Sequence, residues 1–214
     1  MALIMYLTKA PRYENVTVKE IQLIESYLSW QREKEIGSRY ASDTFEQWCG
    51  HSESELPGKN IIEHYKKFYT KKLGYIEGIG KSEIYGLFEH SARIVKANQL
   101  FNWFINHVAN GSMDKEYHEV TKEQLLLLSD TCRKVKDNFK LIGKNKYSNE
   151  DEYEVNEKNA KELLPLMDKV GYFFGPRVYG ELYAEQVIKM ISIIDEILAT
   201  TNFEEQVVYF NAIW

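Results

Sequence analysis

Residues 83–108, EIYGLFEHSARIVKANQLFNWFINHV, are the longest stretch whose spacing reads as helix, and every other segment is placed around them. Ala97, Leu100, Phe101, Phe104, Ile105 and Val108 recur three and four positions apart, and Leu87 and Ile94 carry the same stripe backwards. That pattern predicts a buried face. Glu89, Arg93 and Lys96 stack along another edge of the same helix. At about 1.5 Å per residue the helix would run roughly 39 Å, long enough to cross a small domain. The fold expected from it is mainly α: residues 1–214 as a single compact helical domain around a long central helix, with small antiparallel β ribbons at its margins.

Outward from that helix, ALIMYLT (2–8) and QVVYFNAIW (206–214) are short, apolar and rich in β-branched or aromatic residues, and are expected to pair as a ribbon of the two termini. EYHEV (116–120) and the similar residues near 152–155 are candidates for a second ribbon. Thr17-Val18-Lys19-Glu20 is a capping box ahead of a helix that buries Ile21, Ile24 and Leu28. Asp43-Thr44-Phe45-Glu46 opens a short helix stopped at Gly50. NIIEHYKKFYTKKLGY (60–75) reads as a helix with Ile61, Ile62, Tyr65, Phe68 and Tyr69 inward and Lys66, Lys67, Lys71 and Lys72 outward. GYIEGIG (74–80) then reads as a glycine-rich hinge, with Ser82 as N-cap of the central helix. Thr121 caps an amphipathic helix through Leu125, Leu128, Cys132, Val135 and Phe139, and residues 143–156 read as a mobile polar excursion. A helix at 157–164 ends at Pro165, GYFFGP (171–176) is an aromatic turn, and a last long helix runs from Tyr183 to about Thr200.

Composition narrows the function classes. With 44% hydrophobic and 14% aromatic residues the chain can bury a proper core, and a net charge of −5 fits neither a strongly basic nucleic-acid binder nor a dense acidic DNA mimic. Fifteen tyrosines exceed what a core needs, which points to a binding surface. Cys49 and Cys132 have no metal-like spacing and read as reduced core thiols. No apolar run approaches the roughly 18 residues of a membrane span and the N-terminus lacks a basic export region, so a cytoplasmic protein without membrane contact is expected.

Chemical motifs are sparse. GIGKS (78–82) resembles the end of a phosphate-binding loop, but the required glycine five positions before Gly80 is Tyr75. His51, His64, His90, His107 and His118 never stand at the helical spacing that metal ligation favours. No catalytic residues, no metal site and no cofactor are therefore assigned. An enzyme acting on a nucleotide or phosphorylated small molecule is the alternative, with His90 and Arg93 near Gly80 and Lys81. Lys59, Lys66, Lys67, Lys71 and Lys72 interleaved with Tyr65, Tyr69 and Tyr75 have the composition of an RNA contact, although a solvated helix face is the simpler reading.

KANQLFNWFI (96–105), EYHEVTKEQLLLLSDTCRKV (116–135) and ELLPLMDKVGYFFGPRVYGELYAEQV (162–187) resemble, in order and spacing, a family of uncharacterised bacteriophage and prophage proteins. The resemblance carries over Lys96, Asn98, Gln99, Trp103, Phe173, Phe174, Gly175, Tyr179 and Tyr183 as family positions. The chain departs at Val95, Phe101, Arg177, Val178 and Gly180, where relatives often carry polar residues, which argues for binding over catalysis. The resemblance implies a non-enzymatic protein that binds a host macromolecule: a host protein or ribonucleoprotein such as a defence complex, with RNA as a candidate co-ligand, in the manner of an anti-CRISPR inhibitor. Tyr65, Lys66, Tyr69, Lys72, Arg93, Lys96 and Arg177 are the expected contacts, supported by Tyr179 and Tyr183. The oligomeric state is left open.

Overall fold

The 83–108 stretch is not one helix. A computed structural model, which describes residues 2–76, 80–144, 151–168 and 172–214, gives a mixed α/β chain. Its elements are β1 (Ile4–Pro11), α1 (Val18–Glu35), α2 (Phe45–Cys49), α3 (Lys59–Lys66), β2 (Thr70–Ile76), β3 (Gly80–Gly86), β4 (Glu89–Val95), α4 (Asn98–His107), β5 (His118–Val120), α5 (Lys122–Lys136), β6 (Lys140–Lys144), β7 (Asp151–Glu154), α6 (Glu157–Leu163), α7 (Glu181–Thr200) and β8 (Gln206–Ile213). The mainly α expectation is thereby overturned.

Particular residues break the expected rod. Gly86 closes a strand, and in β4 burial alternates, with Ala92 and Ile94 inside and Ser91, Arg93 and Val95 partly exposed. That is a period of two and not of 3.6. Lys96 then takes φ 53°, a left-handed conformation no strand or helix continues through, and only the residues after it keep the helical repeat. Leu87 and Ile94 are buried as expected, on a loop and a strand.

β4, β1, β8 and β5 form one sheet in that order, so the two terminal strands are its inner pair instead of a marginal ribbon. β5 pairs antiparallel with β8, placing Glu119 opposite Tyr209, while β7 pairs with β6; the ribbon expected between 116–120 and 152–155 does not form. The polar stretch 143–156 contains the end of β6, all of β7 and residues 145–150, which lie outside the described residues. The lysine-rich segment 60–75 is also split: α3 ends at Lys66, and Thr70 begins a strand whose register with β3 sets Thr70 against Gly86 and Lys72 against Ile84. Tyr69-Thr70 supplies an aromatic and β-branched start that favours extended backbone. Gly74 and Gly80 belong to this hairpin, 77–79 lie outside the described residues, and Ser82 lies in β3 instead of capping a helix.

The chain divides into two compact units. One comprises Met1–Leu7, Ser91–Phe203 and Val208–Trp214, and its core joins Leu3, Met5 and Leu7 to Phe101, Phe104, Cys132, Tyr183, Met190 and Phe210. Phe104 stacks on Phe210 with ring centres 4.4 Å apart. Cys49 and Cys132 are free thiols, and burial pushes the Cys132 thiol up to about 12, leaving it unreactive. The other unit comprises Thr8–His90 and Glu204–Val207 and buries Ile21, Ile24 and Leu28 of α1, Phe45, Tyr65 and Leu87. The capping box of α1 forms, with Glu20 N donating to Thr17 Oγ1 at 3.3 Å and Thr17 N to Glu20 Oε2 at 2.8 Å. Thr44 and not Asp43 caps α2, closing a box with Gln47.

Within this second unit Glu25 Oε1 accepts from Leu87 N at 2.6 Å, tying α1 to the turn after β3. Burial raises the Glu25 carboxyl above its ordinary 4.5 despite the opposing pull of the Leu87 and Phe88 amides and of Lys72. A raised folded value means the folded chain holds the proton more tightly, so stability is greatest at acid pH and declines as pH climbs from 4.5 through the folded value. Glu25→Gln keeps an acceptor for Leu87 and has no proton to lose. Urea titrations across that window are expected to show a decline in the parent chain that is absent in Glu25→Gln.

Candidate functional site

α6 is capped by Asn156, whose side-chain oxygen accepts from Asn159 N at 3.2 Å, and gives out before Pro165, which cannot continue a helix. The chain must then reach α7 through a long connection, and a few polar side chains hold it. Asn98, the first residue of α4 and 1% exposed, donates from Nδ2 to Pro176 O at 2.6 Å and accepts at Oδ1 from Met167 N at 3.2 Å. One amide thus pins both sides of the connection. Tyr179 Oη accepts from Leu166 N at 3.1 Å, and the fully buried Tyr183 Oη donates to Leu164 O at 2.8 Å. Burial pushes the Tyr183 phenol well above its ordinary range, so it remains a donor at any physiological pH.

Gly175 adds a close approach. Its φ is +124°, and a Cβ there would overlap the carbonyl of Lys96. Gln186 of α7 donates to Lys96 O at 2.9 Å and accepts from Gln99 Nε2 at 2.9 Å, so the left-handed turn at Lys96 is bound on its other side too. Lys96, Asn98, Gln99, Gly175, Tyr179 and Tyr183, six of the nine positions carried over by the phage-family resemblance, therefore meet in one place as a fastening. Of the other three, Trp103 is buried elsewhere on α4 and stacked on His107 at 4.5 Å, Phe173 is exposed, and Phe174 packs on Phe101 and Trp214.

The fastened connection borders a cleft of about 740 Å³ lined by Asn98, Leu166, Met167 and Pro176 below and by Glu157, Lys161, Asp168, Arg177, Val178 and Tyr179 above. Glu157 holds Lys161 in an i, i+4 ion pair, which raises the Lys161 ammonium above its ordinary value. Arg177 and Asp168 are exposed and have no hydrogen bond or ion pair among the described residues. The cleft thus offers Leu166, Met167 and Pro176 as apolar lining, one tyrosine edge, an unengaged guanidinium and an unengaged carboxylate. Its Asn98 amide and Tyr179 phenol are already committed to backbone.

The nine expected contact residues separate. Arg177 and Tyr179 share this cleft. Arg93 lies in the same unit beside α7, and Lys96 acts through its backbone. Tyr183, fully buried, has no surface to offer a partner. In the other unit Tyr65 is also fully buried, its hydroxyl donating to Pro11 O at 3.3 Å. Lys66 is exposed at the end of α3; Tyr69 is half-buried, bonded to Ser29 Oγ at 2.8 Å; Lys72 borders a small cavity of about 110 Å³ with Lys9 and Glu89. His90 and Arg93 are three apart on a strand and so project to opposite faces, and Gly80 and Lys81 belong to β3 and not to a phosphate-cradling loop. Among the described residues no cluster of three or more His, Cys, Asp or Glu could hold a metal ion, and no helix is long and apolar enough to cross a membrane.

Sequence reasoning missed Met167, Asp168 and the paired Glu157 and Lys161. A signal was present for Asn98: an amide inside the apolar first turn of α4 needs buried backbone partners. No protein-family model, curated protein or solved structure matches the chain.

Removing the Asn98 amide leaves Met167 N–H and Pro176 C=O unsatisfied. Asn98→Ala is expected to cost about 2–4 kcal/mol in urea unfolding and to speed hydrogen exchange at Met167.

Proposed function

We propose that this chain is a non-enzymatic, phage-type binding protein that recognises a host macromolecule through the 740 Å³ cleft. The supporting observation is the division of labour there: Asn98, Tyr179 and Tyr183 are spent on holding backbone, and Arg177 stands unengaged at the rim beside a tyrosine ring. A floor held by these hydrogen bonds, with the Arg177 guanidinium and the Asp168 carboxylate both unengaged, suits recognition of a charged group on a partner, because little side-chain order is lost on binding. The phage-family resemblance of 96–105, 116–135 and 162–187 supports a host defence complex as that partner, as for an anti-CRISPR inhibitor. Exposed Lys66 and half-buried Tyr69 of the second unit fit a supplementary RNA contact.

The tagged chain and its Arg177→Glu variant, compared as baits in host lysate with mass spectrometry and RNA sequencing of what each retains, test this reading. One host complex held by the parent chain and lost by Arg177→Glu is expected, with unchanged circular dichroism because Arg177 is exposed. Retention of the same complex by the variant excludes the cleft as the contact surface. Turnover of a nucleotide by the purified chain would overturn the non-enzymatic reading.

A further inference from the structure

Four charged side chains line the Arg177 cleft, and two of them cancel. Glu157 and Lys161 close their own ion pair on α6, and the Lys161 ammonium also lies 5.8 Å from the centre of the Tyr179 ring. Arg177 and Asp168 remain: both are exposed, and among the described residues neither pairs with the other or with any third group. Opposite charges on one cleft that do not meet leave both signs open to a ligand. Leu166, Met167 and Pro176 add apolar lining, and Val178, next to Arg177 in the chain, is 71% exposed.

A ligand that satisfies Arg177 alone leaves the Asp168 carboxylate at the same cleft without a counter-charge. A phosphate backbone carries one sign throughout, so the Asp168 carboxylate repels it. Nor is there a platform for a base: the one aromatic ring of the described lining, Tyr179, has its hydroxyl on Leu166 N, Tyr183 packed against it with ring centres 5.1 Å apart, and the Lys161 ammonium over it. A polypeptide presents both signs and aliphatic side chains on one short segment. We propose that the occupant of the cleft is a polypeptide segment of mixed charge, with a carboxylate side chain for Arg177, an ammonium or guanidinium for Asp168 and an aliphatic side chain for Leu166 and Met167. This rests on the reading of the cleft as the contact surface and narrows it: within a host complex the cleft takes a protein component and not the nucleic acid.

The test selects a display library of random twelve-residue peptides on the purified full chain and measures the enriched peptides by fluorescence anisotropy against the parent chain, Arg177→Glu and Asp168→Lys. Enriched sequences carrying an acidic, a basic and an aliphatic residue are expected. Their affinity should be about fivefold or more lower in each variant, because an attraction at an exposed rim becomes a repulsion. Exchanging the peptide's basic residue for Glu should weaken binding to the parent and restore binding to Asp168→Lys, a rescue that a misfolded variant would not show. No enriched family, peptides indifferent to either substitution, or purely acidic peptides that bind Asp168→Lys more tightly than the parent overturn the proposal. So does a labelled oligouridine held by the parent and released by Arg177→Glu. Failure of the underlying reading is separable: retention of the host complex by Arg177→Glu removes the cleft as a contact surface, whereas loss of that complex in Arg177→Glu but not in Asp168→Lys removes only the mixed-charge occupant.

Discussion

Two backbone groups in the connection between α6 and α7, Met167 N–H and Pro176 C=O, lie where neither a helix nor a strand can reach them, and the side-chain amide of Asn98 answers both. An amide is suited to this because it presents a donor and an acceptor from one planar group at a fixed separation. The position is 1% exposed, so water cannot substitute if the amide is lost. The cleft floor, the placement of Tyr179 and the presentation of Arg177 all follow from where that amide stops the chain.

The same corner shows how local strain is carried. Lys96 sits at φ 53° and Gly175 at φ +124°, and the backbone at Gly175 comes so near the Lys96 carbonyl that no Cβ fits between. A left-handed lysine is unfavourable on its own. Here it ends β4, redirects the chain into α4 and turns its carbonyl toward Gln186, which donates to it. The cost of one unfavourable dihedral is offset by hydrogen bonds that a straighter chain would not place, and glycine at 175 is required sterically as well as conformationally.

Helices with long repeats and clear caps were legible: α1 and α5 begin after Thr17 and Thr121 and α7 contains the Tyr183-to-Leu198 stripe, although α5 ends at Lys136, short of the expected Phe139. The pairing of the two terminal segments was legible too, as adjacent strands β1 and β8. The 83–108 stretch was not, because Leu87 and Ile94 fall at spacings that a helix and a strand-plus-turn satisfy equally well. What separates the two is the identity of Gly86 and the β-branched pair Ile94-Val95, and a short apolar run does not decide it alone. The basic surface failed similarly: four lysines at 66, 67, 71 and 72 make one helical face only if the helix passes Phe68, and it ends at Lys66. For the site, Arg177 and Tyr179 were reachable through the resemblance, whereas Met167 and Asp168 come to them only through tertiary contacts that no local pattern encodes.

Tyr65 and Tyr183 illustrate why aromatic surplus is a poor guide to contact surface. Both are fully buried, and each uses its hydroxyl to satisfy a backbone carbonyl, of Pro11 and of Leu164 respectively. A phenol is the side chain that fills a core and still reaches such a carbonyl, so a chain with many long irregular connections needs tyrosines inside as much as outside. The residues left free to meet a partner are then the ones the architecture does not consume. In the larger unit Arg177 and Asp168 at the cleft are such residues.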